Sequence, residues 1–577
     1  MRGGVKEDNV MAMEIAKAPT DPEKNRPYFY IIKDKELFTQ SDEEGKGVSF
    51  LYQSDGRLIS SATFTGNVTD ENILKLMETV DGFKKLVHSV GVSVEMEDKD
   101  KQAEFVFQMY GKKDLYGGGA NLIANVNTNS KEERIYLSDI DWTEDDDVPG
   151  QIRVHTDAPE QKAFLSVRFF LNDGFEAPPQ LEEKPVDTES PEYKEMIDRS
   201  LVNLGNTKRL MDVVNKAKAG EDVNICYIGG SITQGAGATP INEECYARKS
   251  FLGFKKLMGN GDNIHYIKAG VGGTPSELGM IRFDRDVLRD GTVEPDLLVV
   301  EFAVNDEGDE TKGNCFESLV RRALKLPSQP AVMLMFSVFS DDYNLQDRLA
   351  PVGFRYDLPM ASVKDAVVPQ FYDRDKRILT KHQYFYDMFH PTNLGHTIMA
   401  DCLINIMAKA IAGETPAEYD PRLDEAPAIG NTFDDVFLVD KKDNTDLVSV
   451  QPGGFVYTDD FLQSVEMDMD LKLTPEFPYN WMYDGGQGST EDFEMDVECK
   501  ALVIVMKDSG EVDAATAKVY VDGKFVRDLD PYVNRWCHCN PLIIIDEPVT
   551  GKHHVKVVVD KDDVRNKFTI LGFGLVK

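Results

Sequence analysis

Between residues 206 and 412 the chain alternates short apolar runs with amphipathic segments, and this rhythm admits few folds. The runs at 223–228, 264–268, 297–302 and 331–336 are too short and too uniformly apolar to be helices, so they read as strands buried on both faces. Segments with helical spacing lie between them, near 207–219, 247–258, 315–326 and 394–411. Alternating strand and helix predict a doubly wound, parallel α/β sheet covered on both faces. In such a sheet the crevice outside the carboxyl ends of the strands is the default ligand site.

The first of these strands runs into I-C-Y-I-G-G-S-I-T-Q-G-A-G at residues 225–237 and stops at Gly229 and Gly230. Two glycines turn the backbone sharply and leave Ser231 uncrowded, which a nucleophile requires. A phosphate-cradling turn or a plain connection would use the same glycines, but no G-x-x-x-x-G-K-[ST] or G-x-G-x-x-G is present here. The strand at 264–268 ends in A-G-V-G-G-T-P-S, bringing Gly270, Gly272 and Gly273 to the same rim. The strand at 297–302 ends in A-V-N-D, with Asn305 just beyond it. Its amide suits a developing negative charge, although Asn305-Asp306 also reads as a turn or helix cap. Late in the unit comes D-M-F-H-P-T-N-L-G-H, with Asp387 and His390 three apart and His396 shortly after. A histidine oriented by a carboxylate can take a serine proton, and the same pair would equally serve a metal or a cap.

The flanks read differently. Residues 28–172 carry short alternating runs separated by polar turns, the pattern of a β-sandwich, with one amphipathic helix near 71–88. A stretch rich in proline and acid, 176–192, marks a boundary. After Pro416 short strands return as a second sandwich. The expected organisation is an N-terminal β-sandwich over 1–195, an α/β domain over 196–415 and a C-terminal β-sandwich over 425–577. The aromatic stretch P-Y-N-W-M-Y at 478–483 reads as a sugar-stacking loop or as core.

Composition narrows the partners. A formal charge of -36 repels nucleic acid and anionic lipid, so neither is expected to bind. Seven cysteines, several inside apolar runs, favour a reducing compartment. The opening M-R-G-G-V-K-E-D-N-V has no apolar core of a signal peptide, and no run reaches about 18 apolar residues. A cytoplasmic protein without a membrane partner is the expectation, and homo-oligomer assembly is left open. The W-C-H-C run at 536–539 and His553-His554 lack the spacing of a zinc site and are expected on sandwich strands.

As an ordered set, G-G-S-I-T, G-V-G-G-T, V-N-D and D-M-F-H-P resemble the four blocks of the SGNH (GDSL-like) hydrolases, a likeness covering about residues 206–412. The resemblance implies catalytic Ser231, Asp387 and His390, an oxyanion hole of Ser231, Gly273 and Asn305, and no metal or cofactor. Gly230 stands where the commoner motif has aspartate, which puts the substrate subclass in question. Gly273 rather than Gly272 aligns with the oxyanion glycine. Two flanking β-sandwiches resemble the accessory, carbohydrate-binding modules of polysaccharide deacetylases. The expected activity is therefore a bacterial carbohydrate O-acetylesterase on acetylated xylan, mannan or similar oligosaccharides. A short-chain arylesterase or lipase and a catalytically silent carbohydrate-binding protein are the alternatives.

Overall fold

The computed structural model describes residues 26–577 except 43, 55, 181–182, 374–375, 443–445 and 561–565. The opening decapeptide and part of the proline-rich stretch lie outside the described residues. At the centre is a six-stranded sheet in the order Leu201–Asn203, Met360–Ser362, Ala331–Phe336, Leu297–Glu301, Val223–Gly229, Ile264–Gly270. Five strands run parallel; the edge strand Leu201–Asn203 is antiparallel, so the sheet is mixed rather than purely parallel. Side chains alternate between two cores. Ile225, Tyr227 and Val299 face the helices Lys208–Lys218, Tyr246–Leu257 and Asn393–Ala412, whereas Cys226, Ile228 and Val300 face Ser276–Ile281 and Asn314–Lys325. Among the described residues one helix, Asn393–Ala412, is long and apolar enough to cross a membrane, and it forms part of the first core.

The order of strands fixes where a site can form. Val223–Gly229 pairs with Ile264–Gly270 on one side and with Leu297–Glu301 on the other, so consecutive connections leave it in opposite directions. That divergence opens a crevice at the carboxyl end of the strand, where Ser231 follows.

Antiparallel sheets lie before and after this unit in the chain. The N-terminal part has a four-stranded and a five-stranded sheet enclosing a core that includes Phe29, Leu51, Phe83, Phe105 and Phe169. The single helix expected near 71–88 is two helices, Glu71–Leu76 and Val80–Leu86, because Thr79 caps the second by accepting the Gly82 N–H. A further helix, Arg57–Phe64, buries Leu58, Ala62 and Phe64. The C-terminal part is an eight-stranded antiparallel sheet whose long strands are Phe493–Asp508, His538–Val559 and Lys567–Val576. One of its faces completes the core of the α/β unit: Val503, Leu571 and Val576 pack with Phe302 and Leu319. Trp481, from the aromatic stretch, is buried against Phe493 and Phe573 and serves as core, while Tyr479 is exposed. All seven cysteines are free, six of them buried.

Candidate active site

Ser231 is the first residue of a one-turn helix, Ser231–Gln234, directly after the strand Val223–Gly229. Beneath it the fully buried Arg282 donates to the carbonyls of Gly229 and Ala269, both at 2.9 Å, and pairs with Asp286 at 3.0 Å. Two strand ends are thus held at fixed spacing under the serine. The loop bearing Asp387 and His390 closes on itself through the Tyr386 N–H to the His390 carbonyl at 2.7 Å, and the helix Asn393–Ala412 follows, capped by Thr392.

These two segments converge. His390 Nε2 lies 2.9 Å from Ser231 Oγ, and His390 Nδ1 lies 3.0 Å from each oxygen of Asp387. With Nδ1–H directed at the carboxylate, Nε2 is the acceptor that faces the serine hydroxyl. Asp387 Oδ1 also accepts the N–H groups of Phe389 at 2.8 Å and His390 at 2.9 Å. Burial opposes its charge, but the neighbouring His390, the Arg57 guanidinium and the Phe389 N–H together hold its carboxyl well below the usual carboxylate range.

Asn305 lies against Gly230. A Cβ on that glycine would fall 2.1 Å from Asn305 Oδ1 and 2.5 Å from its Cγ, so the amide occupies the space a side chain there would need. Asn305 Oδ1 is buried without a hydrogen-bond partner. Asp306 accepts the Ser276 N–H at 2.7 Å and its hydroxyl at 2.8 Å, which ties the Asn305 loop to the start of the helix Ser276–Ile281. The Gly272 N–H is committed to Gln234 Oε1 at 3.0 Å, and Gly273 adopts a left-handed φ of 70°. His396 is elsewhere: its Nδ1 accepts the Tyr246 N–H and its Nε2–H donates to the Ala236 carbonyl, both at 3.1 Å. Burial pushes it down to about 3.

The model of the GDSL-like lipase/acylhydrolase family matches residues 227–398. This stretch is a GDSL-like hydrolase domain. No curated protein matches the chain. Among solved structures, a two-domain esterase active on acetylated mannans, co-crystallised with mannopentaose, is 26% identical with a TM-score of 0.55, the match covering 66% of this chain and 98% of that one. A second structure described as a two-domain esterase active on acetylated mannans matches at 26% identity and a TM-score of 0.56, covering 66% and 99%. Residues 227–398 are thus the ester-hydrolase domain of this chain.

Residues outside the GDSL-like domain complete its surroundings, and no local pattern marked them. From the C-terminal sheet and the loops before it, Gln463 Nε2 donates to the Gly272 carbonyl at 2.7 Å and His538 Nε2–H to the Gly273 carbonyl at 2.9 Å. Trp536 sits 2.7 Å from where a Cβ on Gly273 would be. From the N-terminal part, Arg57 Nε lies 3.3 Å from Asp387 Oδ2, and Lys35 Nζ stacks over the Tyr386 ring. Burial pushes the Lys35 ammonium well down, with the Asp387 charge opposing. Gln234 Nε2 donates to Glu466 at 2.7 Å, and Gln40 donates to that same carboxylate at 3.2 Å, so one acid links three parts of the chain. His538 and Cys539 open the strand His538–Val559, as expected, while Trp536 and Cys537 precede it in the turn.

Among the described residues one buried group, Glu277, Asp309 and Cys315, brings three potential metal ligands together. Its carboxylates are engaged with the backbone: Glu277 accepts the Glu310 N–H at 3.1 Å, and Asp309 accepts those of Thr311 at 2.7 Å and Gly313 at 2.5 Å. Burial, with the Asp309 charge beside it, pushes Glu277 up to about 9. These acids shape the loop after Asn305.

Proposed function

We propose that this chain is a serine esterase that removes O-acetyl groups from mannan-type oligosaccharides or polysaccharides through an acyl-enzyme. The observation that carries the chemistry is the 2.9 Å approach of His390 Nε2 to Ser231 Oγ, with Asp387 behind the imidazole. Ser231 Oγ attacks the acetyl carbonyl while His390 takes its proton; the same proton then goes to the departing sugar oxygen. Water, deprotonated by His390, attacks the acetyl-serine carbon and releases acetate, restoring the serine hydroxyl. Asp387 keeps Nδ1 protonated and steadies the imidazolium. The N–H groups of Ser231 and Gly273 and the Asn305 amide hold the oxyanion. Ser231 opens a helix, so its N–H has no intrahelical partner.

The choice of substrate is supported by the likeness to an esterase active on acetylated mannans. The flanking parts, read as two β-sandwiches, supply walls to the site through Arg57 on one side and Trp536 on the other. The test is acetate release from acetylated manno-, xylo- and pectic oligosaccharides, beside p-nitrophenyl esters of rising chain length, with Ser231→Ala as control. Acetate from mannan substrates, abolished in the control, is the expected result. Acetate from xylan substrates alone would change the glycan, and turnover confined to longer acyl esters would make the protein an arylesterase or lipase.

A further inference from the structure

The five-stranded N-terminal sheet buries one face in its own core, through Leu51, Phe105, Phe107, Ile152 and Val154. The opposite face carries two rows of side chains set by the strand register. Tyr52 stands opposite Gln151, and Gln151 opposite Gln108; one step along, Phe50 stands opposite Arg153, followed by Val106 and Ile123. Phe50 and Tyr52 are each 47% exposed and Ile123 53%. Single exposed aromatics are ordinary on a protein surface. Two on adjacent same-face positions beside buried polar groups are not.

The polar groups decide what such a face would take. Gln108 Oε1 accepts both Gln151 Nε2 at 3.1 Å and Arg153 Nη1 at 3.3 Å, and Gln108 Nε2 donates to the Tyr116 carbonyl. That network leaves two buried atoms without partners, the acceptor Gln151 Oε1 and the donor Arg153 Nε; Gln151 itself is only 7% exposed. An unused acceptor and an unused donor two residues apart on one strand, Asp146–Thr156, match hydroxyl groups, which both donate and accept. Exposed aromatic rings next to them match the apolar C–H faces that alternate with hydroxyls on a sugar. Four strands spaced about 4.8 Å apart make the face about 14 Å wide, room for a short oligosaccharide.

This face is continuous with the catalytic serine's surroundings at both ends. The Arg57 guanidinium lies 5.7 Å from the Tyr52 ring centre and 5.4 Å from that of Phe389, between the face and Asp387. At the other end Tyr116 donates its hydroxyl to the Arg535 carbonyl at 3.4 Å, next to Trp536. We propose that the outer face of this sheet, centred on Phe50, Tyr52, Gln151 and Arg153, is a glycan-binding surface that holds the neutral sugar chain beyond the residue being deacetylated. The identity of that chain rests on the esterase reading above.

The test uses the full chain carrying Ser231→Ala and measures calorimetric affinity for mannose, mannotriose and mannohexaose, with xylohexaose alongside. Affinity is expected to rise with chain length. Adding Phe50→Ala or Arg153→Ala is expected to weaken hexaose binding about tenfold, while the shorter sugars lose less. Phe50 is exposed, so its variant keeps the fold even if the Arg153 variant does not. Hexaose affinity unchanged in the Phe50 variant, or no length dependence in the parent, overturns the proposed surface and leaves wild-type acetate release untouched. Length-dependent binding lost in the variants, in a protein that cleaves only aryl esters, upholds the surface and defeats the mannan esterase reading instead.

Discussion

Arg57 Nε, from the N-terminal part of the chain, lies 3.3 Å from Asp387 Oδ2, the carboxylate behind the His390 imidazole. The contact is ionic, since Nε makes no hydrogen bond, and both side chains are largely buried. A cation beside a buried carboxylate favours its charged form, and the charged form is what orients the histidine. Arg57→Ala should therefore lower kcat on p-nitrophenyl acetate about tenfold with KM changed less than about twofold, and Arg57→Lys should recover part of the loss. Unchanged kcat in the alanine variant would make Arg57 a structural contact only.

Gly230 offers a sharper test because the nearest neighbour of its missing side chain is Asn305. A methyl group there must displace the Asn305 amide, which it would approach to 2.1 Å. If that amide holds the oxyanion, Gly230→Ala should cut kcat by about 10² while leaving KM nearly the same. A variant with full activity and an intact fold by circular dichroism would take Asn305 out of the oxyanion hole.

His396 has the spacing of a second catalytic base and the environment of a structural one. Its two nitrogens are both hydrogen-bonded to backbone, and burial depresses it to about 3 from an ordinary value near 6.5. The unfolded chain takes up this proton before the folded one does. Its contribution to stability is thus complete above about pH 6.5 and falls by about 1.4 kcal/mol per pH unit as the pH drops from there toward 3. Denaturant unfolding at pH 7 and pH 5 should show a loss of about 2 kcal/mol that His396→Gln reduces. The glutamine variant, once folded, should keep most of its turnover; a loss equal to that of His390→Ala would move the base to His396.

How much of this was legible in sequence depended on whether a contact was local. Ser231, Gly273 and Asn305 each sit just past a strand that its own apolar run announces, and Asp387 and His390 lie on one turn of chain. Arg57 meets Asp387 from more than half the chain away, and His538 meets Gly273 from a similar distance; nothing in either neighbourhood signals its partner. The break between Glu71–Leu76 and Val80–Leu86 escaped for another reason. The apolar spacing runs through it, and only the capping by Thr79 divides the helix. Trp481 decides between the two readings of the aromatic stretch: it packs against Phe493 and Phe573 and serves as core.

The C-terminal part cannot be tested by removing it, because Val503, Leu571 and Val576 complete a core shared with Phe302 and Leu319, and a chain ending before them would expose that surface. His538 isolates its effect on the site. Burial pushes this histidine down to about 4, so at neutral pH it is uncharged; Nε2–H donates to the Gly273 carbonyl at 2.9 Å and Nδ1 lies 3.3 Å from Asn534 Nδ2. The bond fixes the peptide after Gly273, whose backbone is left-handed and whose neighbour Gly272 is held by Gln234 and Gln463. His538→Ala should let the loop drift and lower kcat by up to about 10², the scale set by a displacement of about 1 Å at a reacting centre. His538→Gln, whose amide reaches the same carbonyl, should recover part of it. Equal kcat for wild type and the alanine variant, with thermal stability unchanged, would mean that the Gln234 and Gln463 contacts to Gly272 suffice to hold the loop in place.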